Sequence, residues 1–223
     1  MLTYTTRILL PLCLLGCRTE TSTKAFNVEP EVQIQSHGDG AEFLEGYSSE
    51  FIGLISDLNH DKEELLASWY VGEEMVCGWE APDAQGNTIC SIALTPEDSV
   101  ISVQVTDPQN ASGRDEISVV VAPTEAPEAK ILSPLAGGSY YSDQIITFQG
   151  LLSDGEDGPE LLTATWESSA QGELDLDTTP DSSGEIEDFG YLSAGQHALS
   201  LQVEDSTGKT SSESVIITVG GPN

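Results

Sequence analysis

The sequence predicts an all-β protein made of two β-sandwiches in tandem, each with about seven strands. Three observations lead to this prediction. Apolar residues alternate with polar ones in short runs, which is typical of strands with one buried face. Pro, Gly, Asn and Asp cluster between these runs, where turns are expected. The chain also repeats itself at an offset of about 97 residues, so that one domain occurs twice.

The repeat consists of blocks that occur in the same order in both copies. Residues 51–69, FIGLISDLNHDKEELLASW, match residues 148–166, FQGLLSDGEDGPELLTATW, without a gap. A second block, an alternating apolar run that ends at Asp107, matches the run that ends at Asp205. The closing apolar runs match as well. This order predicts one domain at 27–122 and a second at 128–220.

The strands of the first copy are predicted from its period-two runs. They include Val32 and Ile34, then 101–105, then 117–121, and the second copy repeats the last two at 199–203 and 215–219. The segment 63–68 has weak helical periodicity. Its counterpart begins after Pro159 and continues as LLTATW, which favours a strand in both copies.

The regions outside the two domains have distinct compositions. Residues 123–127 contain two prolines and an acidic residue, which predicts an extended, semi-stiff linker. Residues 17–26 are predicted to be a polar tether that begins with a cysteine, and 221–223 a short tail.

The first 16 residues predict an export signal. Arg7 is its only charge, and the apolar run at 8–15 is too short to span a bilayer. The ending Leu14-Leu15-Gly16-Cys17 resembles the lipobox of bacterial lipoproteins, which implies cleavage before Cys17 and acylation of its thiol. The alternative is an ordinary cleaved signal. Because the residue after Cys17 is not aspartate, the resemblance favours the outer membrane over the inner membrane.

The remaining cysteines, Cys77 and Cys90, form an even pair in an exported chain, which predicts a disulfide. A turn signal at 83–87 lies between them, so we expect the disulfide to close a hairpin. Trp79 lies inside this loop and has no counterpart in the second copy. It is expected either to pack on the hairpin or to contact a sugar or a protein partner.

The repeated block carries a family resemblance. The order Phe51, Gly53, Asp57, Trp69 and, later, Asp107 resembles bacterial immunoglobulin-like domains of the polycystic-kidney-disease (PKD) type. The same pattern recurs in the second copy, with Trp166 in the place of the first tryptophan. The resemblance implies immunoglobulin-like sandwiches with a buried tryptophan, and a role as a spacer or adhesion module.

The formal net charge of −31 argues against a nucleic-acid partner and against direct adsorption to anionic lipid. The three histidines His37, His60 and His197 share no local motif, and no nucleophile or zinc-protease motif is present, so no catalytic activity is expected. His60 and His197 are expected to be solvated.

The predicted function is a non-catalytic envelope module. A carbohydrate- or protein-binding module using the 77–90 loop and an accessory subunit of an envelope complex are the alternatives. The oligomeric state is left open.

Acidic loops at one end of each sandwich predict calcium sites. In an immunoglobulin-like sandwich, the loop after the second strand and the loop before the last strand lie at the same end. Calcium takes six to eight oxygen ligands, which such loops can supply. The alternative is that the aspartates only cap turns. The candidate ligands are Asp57, Asn59, Asp61 and Asp107 in the first copy, Asp154, Glu156, Asp157 and Asp205 in the second, Glu125 in the linker and Glu128 directly after it.

Overall fold

The computed structural model describes residues 26–223, which form two β-sandwiches of eight strands each. The first contains β1 (Glu31–Ile34), β2 (Ala41–Leu44), β3 (Ser48–Ser56), β4 (Leu66–Val71), β5 (Glu74–Glu80), β6 (Asn87–Ala93), β7 (Val100–Thr106) and β8 (Ser112–Ala122). The second contains β9 (Glu128–Ser133), β10 (Tyr140–Tyr141), β11 (Ile146–Ser153), β12 (Thr163–Ser168), β13 (Gly172–Glu173), β14 (Glu185–Gly190), β15 (Gly195–Glu204) and β16 (Thr210–Gly220).

The two domains share one topology. Each packs a three-stranded sheet, β1-β3-β6 or β9-β11-β14, on a five-stranded sheet, β2-β8-β7-β4-β5 or β10-β16-β15-β12-β13. The pairs β2–β8 and β10–β16 are parallel, and the other pairs are antiparallel. This is an immunoglobulin-like arrangement, so the predicted fold class is confirmed. Each domain has eight strands because its N-terminal strand divides, the first part joining one sheet and the second part the other.

A short 3-10 turn precedes the tryptophan strand in both domains, at Lys62–Glu64 and at Pro159–Leu161. The strand predicted at 63–68 and in its counterpart is therefore wrong for its first residues, which belong to this turn, and is confirmed from Leu66 and Thr163, where β4 and β12 begin. Within the described range 26–223, no helix has the length and apolar character needed to cross a membrane.

An aromatic pair fills the centre of each core. Trp69 on β4 and Phe51 on β3 have ring centroids 6.3 Å apart, and Trp166 on β12 lies 5.5 Å from Phe148 on β11. Both tryptophans are 1% exposed. The Trp69 indole donates a hydrogen bond to the Thr88 hydroxyl at 3.1 Å, so its polar group is satisfied inside the sandwich.

The glycine of the repeated block is explained by this packing. A Cβ placed on Gly53 would lie 3.3 Å from the Trp69 ring, and one placed on Gly150 would lie 2.6 Å from Leu201 Cδ2. A side chain at either position would crowd these neighbours, which favours glycine where the strand crosses the facing sheet.

Replacing Gly150 with Ala is expected to lower the free energy of unfolding by about 1–3 kcal/mol, because the added methyl group would overlap the Leu201 side chain. Urea denaturation of the full chain measures the change. Gly155→Ala is the matched control, since no atom lies within 4 Å of a Cβ built there. If Gly150→Ala unfolds at the same urea concentration as the control, the packing explanation is wrong.

Candidate functional site

Each domain has a pole, defined here as the end that holds the loop after β3 (57–61) and the loop after β7 (107–111), or the equivalent loops 154–158 and 205–209. At the first pole, Asp57, His60 and Asp107 each offer one ligand atom, and these atoms lie within 4.8 Å of one another. The structure thus brings together two of the predicted calcium ligands and adds a histidine that the sequence had not assigned to the site.

The two aspartates of the first pole shape their own loops. Asp57 Oδ1 accepts hydrogen bonds from the backbone N–H groups of Asn59 at 2.5 Å and His60 at 2.8 Å. Asp107 Oδ1 accepts from the N–H groups of Gln109 at 2.8 Å and Ala111 at 2.9 Å. One oxygen of each carboxylate is therefore used for turn capping.

His60 lies between these carboxylates. Its Nδ1 atom is 3.3 Å from Asp57 Oδ1 and 3.8 Å from Asp107 Oδ2, and its side chain is only 10% exposed. The expectation that His60 is solvated is wrong, because the loop after β3 folds it against the loop after β7. His197 is also not solvated: it is fully buried, with Nδ1 2.8 Å from the Ser168 hydroxyl.

Asp107 has a lowered pKa although it is buried in this pole. Desolvation by burial raises the pKa of Asp107, but hydrogen bonds from the Asn27 amide and from the backbone of Ala111 and Gln109 outweigh it, so the pKa lies below its ordinary value. The Asn27 Nδ2 donates to Asp107 Oδ2 at 2.5 Å. The carboxylate is accordingly ionised at neutral pH.

Other predicted ligands of the first pole lie outside the three-residue group. Asn59 Oδ1 accepts a hydrogen bond from the Val28 backbone at 2.7 Å, and Asp61 is exposed at the start of the 3-10 turn. Calcium at this pole stays a prediction.

The second pole repeats the turn chemistry of the first. Asp154 Oδ1 accepts from the N–H groups of Glu156 and Asp157 at 2.8 and 2.7 Å. Asp205 Oδ1 accepts from the N–H groups of Thr207 and Lys209 at 2.8 and 2.9 Å. At the position of His60, however, the second domain has Asp157.

The first domain contacts this second pole directly. Tyr47, in the turn between β2 and β3, donates its hydroxyl to Asp157 Oδ1 at 2.6 Å, while Asp157 Oδ2 accepts from the Ser206 backbone at 2.8 Å. The hydrogen bond to Asp157, together with burial, raises the pKa of Tyr47 to about 12. Gly46 has a φ of 80°, and a Cβ placed on it would lie 2.9 Å from Thr207 Cβ. A residue without a side chain is needed at this contact.

Lys209 completes the joint between the domains. Its Nζ lies 2.7 Å from Glu45 Oε2, 2.8 Å from Thr124 Oγ1 and 2.5 Å from the Thr124 carbonyl oxygen. The ammonium has three donors, and all three find acceptors in the first domain and the linker. The hydrogen bond with Lys209, followed by one from the Thr124 backbone, lowers the pKa of Glu45.

The acidic residues in and directly after the linker lie near the second pole. Glu125 and Glu128 line a cavity of about 210 Å³ together with Asp154. Glu125, Glu128 and Glu156 are exposed. Calcium at the joint stays a prediction. The Asp157 carboxylate accepts its hydrogen bonds there from the Tyr47 hydroxyl and the Ser206 backbone.

The disulfide between Cys77 and Cys90 is present, with Cα atoms 6.1 Å apart. The predicted hairpin is wrong: Cys77 is on β5 in the five-stranded sheet and Cys90 on β6 in the three-stranded sheet. The bond therefore joins the two sheets, and closing a separation of 13 residues stabilises the domain by about 3 kcal/mol in the chain-entropy model.

Trp79, on the edge strand β5, is 40% exposed. The predicted lipidation residue, Cys17, lies outside the described residues.

No protein-family model matches the chain, and no curated protein sequence matches it. Similar folds occur among solved structures. The fibronectin(III)-like modules of Clostridium thermocellum CbhA share 16% identity at a TM-score of 0.42, covering 85% of this chain and 94% of that one. An I-band fragment of titin shares 11% identity at a TM-score of 0.38, covering 87% and 67%. The tandem Ig repeats of Dlar share 11% at 0.30, covering 87% and 100%. These similarities are too low to carry an argument about function.

The contacts of Lys209 predict that the two domains move as one body in solution. Lys209→Met is expected to free them, because methionine keeps an unbranched apolar side chain but lacks the ammonium that Glu45 and Thr124 share. Small-angle X-ray scattering and NMR relaxation of the full chain measure the change. Lys130→Met is the control, since it removes one exposed positive charge on β9. Equal flexibility in the two variants would contradict this role of Lys209.

Extreme pH is expected to weaken the same joint. The pKa of Glu45 is lowered on folding, so its stabilising contribution is present above the ordinary pKa of glutamate and is lost as pH falls through the folded-state value. The pKa of Tyr47 is raised on folding, so its stabilising contribution is present below the ordinary pKa of tyrosine and is lost as pH rises towards about 12. Small-angle scattering should therefore show the least inter-domain flexibility near neutral pH. A wild-type joint that is unchanged in acid would show that the Glu45 contact contributes nothing.

Proposed function

We propose that this protein is a non-catalytic spacer or adhesion module of the bacterial cell envelope, anchored to the outer membrane through a lipid on Cys17. The observation that carries the spacer role is the joint between the domains. A spacer has to keep its far end at a defined distance and direction from its anchor. Two domains on a free linker would not do this, because inter-domain motion is the default for small interfaces.

The joint supplies the constraint that such a role requires. Glu45 and Tyr47, from one turn of the first domain, contact two different loops of the second. Thr124, in the linker itself, is bound to the Lys209 ammonium. Because the contacts are spread over a turn, a linker and two loops, they oppose both bending and rotation. A freely flexible wild-type chain in the scattering measurement above would remove this support.

The anchor is supported by the lipobox resemblance at Leu14-Leu15-Gly16-Cys17. Cys17→Ser is expected to abolish acyl labelling and to release the protein from the membrane fraction, since diacylated anchors are stable while the rest of the chain is too acidic to adsorb. Labelling with a radioactive fatty acid and membrane fractionation measure both effects. Cys13→Ser, in the apolar run of the predicted signal, is the control for loss of a cysteine. A Cys17→Ser protein that stays membrane-bound would refute the anchor.

A second candidate function is a binding module for a carbohydrate or a protein. Its support is the exposed edge strand β5, where Trp79 is 40% exposed and Met75 and Val76 are exposed as well. Aromatic side chains of this kind supply much of the binding energy in many interfaces.

Trp79→Ala separates this candidate from the spacer. In a pull-down from envelope extracts, a binding module should lose its bound partner while the melting temperature stays within a few degrees of the wild type. A spacer should show no difference between Trp79→Ala and wild type. A partner that is retained by both and released by salt would instead favour the third possibility, an accessory subunit that docks a basic protein through its acidic surface.

A further inference from the structure

We propose that the first pole binds one divalent transition-metal ion through Asp57, His60 and Asp107. The proposal concerns a site of its own and does not depend on the spacer function. It also differs in chemical class from the calcium predicted by the sequence, because one of the three ligands is a nitrogen.

The geometry of the group fits a small, closely coordinated ion. Ligand atoms about 2.0–2.1 Å from a tetrahedral zinc ion are roughly 3.3 Å from one another. The His60 Nδ1 atom is 3.8 Å from Asp107 Oδ2 and 3.3 Å from Oδ1 of the Asp57 carboxylate, whose Oδ2 is the oxygen left for a metal ion. All three ligand atoms lie within 4.8 Å of one another, so small side-chain rotations bring them to coordination distance. A fourth position is left for water or another ligand.

An unpartnered buried oxygen indicates that something else belongs in this pole. The side chain of Asp57 has no exposed surface, and its Oδ2 atom has no hydrogen-bond partner among the described residues. Oδ1 of the same carboxylate already caps the turn. A buried acceptor without a partner costs free energy, more so when the group is charged. A metal ion would supply the missing partner.

The charge balance of the pole points the same way. The side chains of Asp57 and Asp107 are both fully buried. Within the part of the chain that the structure describes, the one basic side chain paired with either of them is His60, which is charged only when protonated. Two buried acidic side chains therefore face a single basic one, and a divalent cation would balance the excess of acidic groups.

The ligand set favours a transition metal over calcium. Calcium takes six to eight oxygen ligands, whereas imidazole nitrogen suits zinc, copper, nickel and iron. The residues that would have extended an oxygen-only shell lie elsewhere, since Asp61 is exposed and Asn59 Oδ1 accepts from the Val28 backbone. The histidine occupies the centre of the group.

The second pole lacks the nitrogen ligand. It repeats the unpartnered carboxylate oxygen, at Asp154 Oδ2, but has Asp157 where the first pole has His60. Asp157 is engaged by Tyr47 and Ser206 across the joint. Among residues 26–223 the three-ligand group is found only at the first pole. One ion per chain is therefore expected, not two.

Calorimetry of the full chain tests the site with zinc, cobalt and calcium chlorides as separate probes. Zinc is expected to bind at one ion per chain and to raise the melting temperature of the first domain. Bound cobalt is expected to give the visible absorption of a tetrahedral nitrogen and oxygen site. His60→Gln should weaken zinc binding at least ten-fold, whereas His37→Gln, a substitution of the other histidine of the first domain, should leave it unchanged.

Three results would overturn the proposal. Zinc binding of equal strength in His60→Gln and wild type would place the ion elsewhere. Calcium binding that exceeds zinc binding and survives His60→Gln would show an oxygen-only site. Absence of heat and of any melting shift with zinc or cobalt would show that no such ion binds. Because His60→Gln can alter the loop, Asp57→Asn serves as the second variant, and it should abolish the cobalt spectrum while keeping the turn-capping oxygen.

Discussion

Each domain depends on the close packing of its two sheets around one buried tryptophan. Trp69 and Trp166 lie almost wholly buried against a phenylalanine of the facing sheet, and a glycine two residues after that phenylalanine lets the sheets approach. A side chain at the glycine would meet the tryptophan ring in the first domain or Leu201 in the second. Because the sheets are held at this distance, the loop after β3 and the loop after β7 lie side by side and together form the pole.

The aspartates at the poles have two roles that the structure separates. One oxygen of each carboxylate closes a turn on backbone N–H groups, and this use is the same in both domains. The second oxygen is free to meet something outside the loop. In the first domain the second oxygen of Asp107 lies beside His60 and the Asn27 amide. The second oxygens of Asp57 and Asp154 have no hydrogen-bond partner among the described residues.

Two differences between the copies supply contacts at the joint. Lys209 stands where the first domain has Ala111, and Thr124 stands where it has Asn27. The lysine reaches across to Glu45, while the threonine accepts from the same ammonium. The same repeated scaffold therefore presents a docking surface in one domain and a buried acidic group with a histidine in the other.

The sequence by itself determined the duplication, the all-β class, the strand runs, the tryptophan core and the pairing of Cys77 with Cys90, because these depend on local periodicity and on matched blocks. Tertiary structure decided what depends on atoms far apart in the chain. The disulfide joins two sheets because β5 and β6, although consecutive in the chain, belong to different sheets. His60 meets Asp107, and Lys209 meets Glu45, because loops distant in sequence converge at the ends of the sandwiches. No local pattern encodes which side chain will fill that shared space.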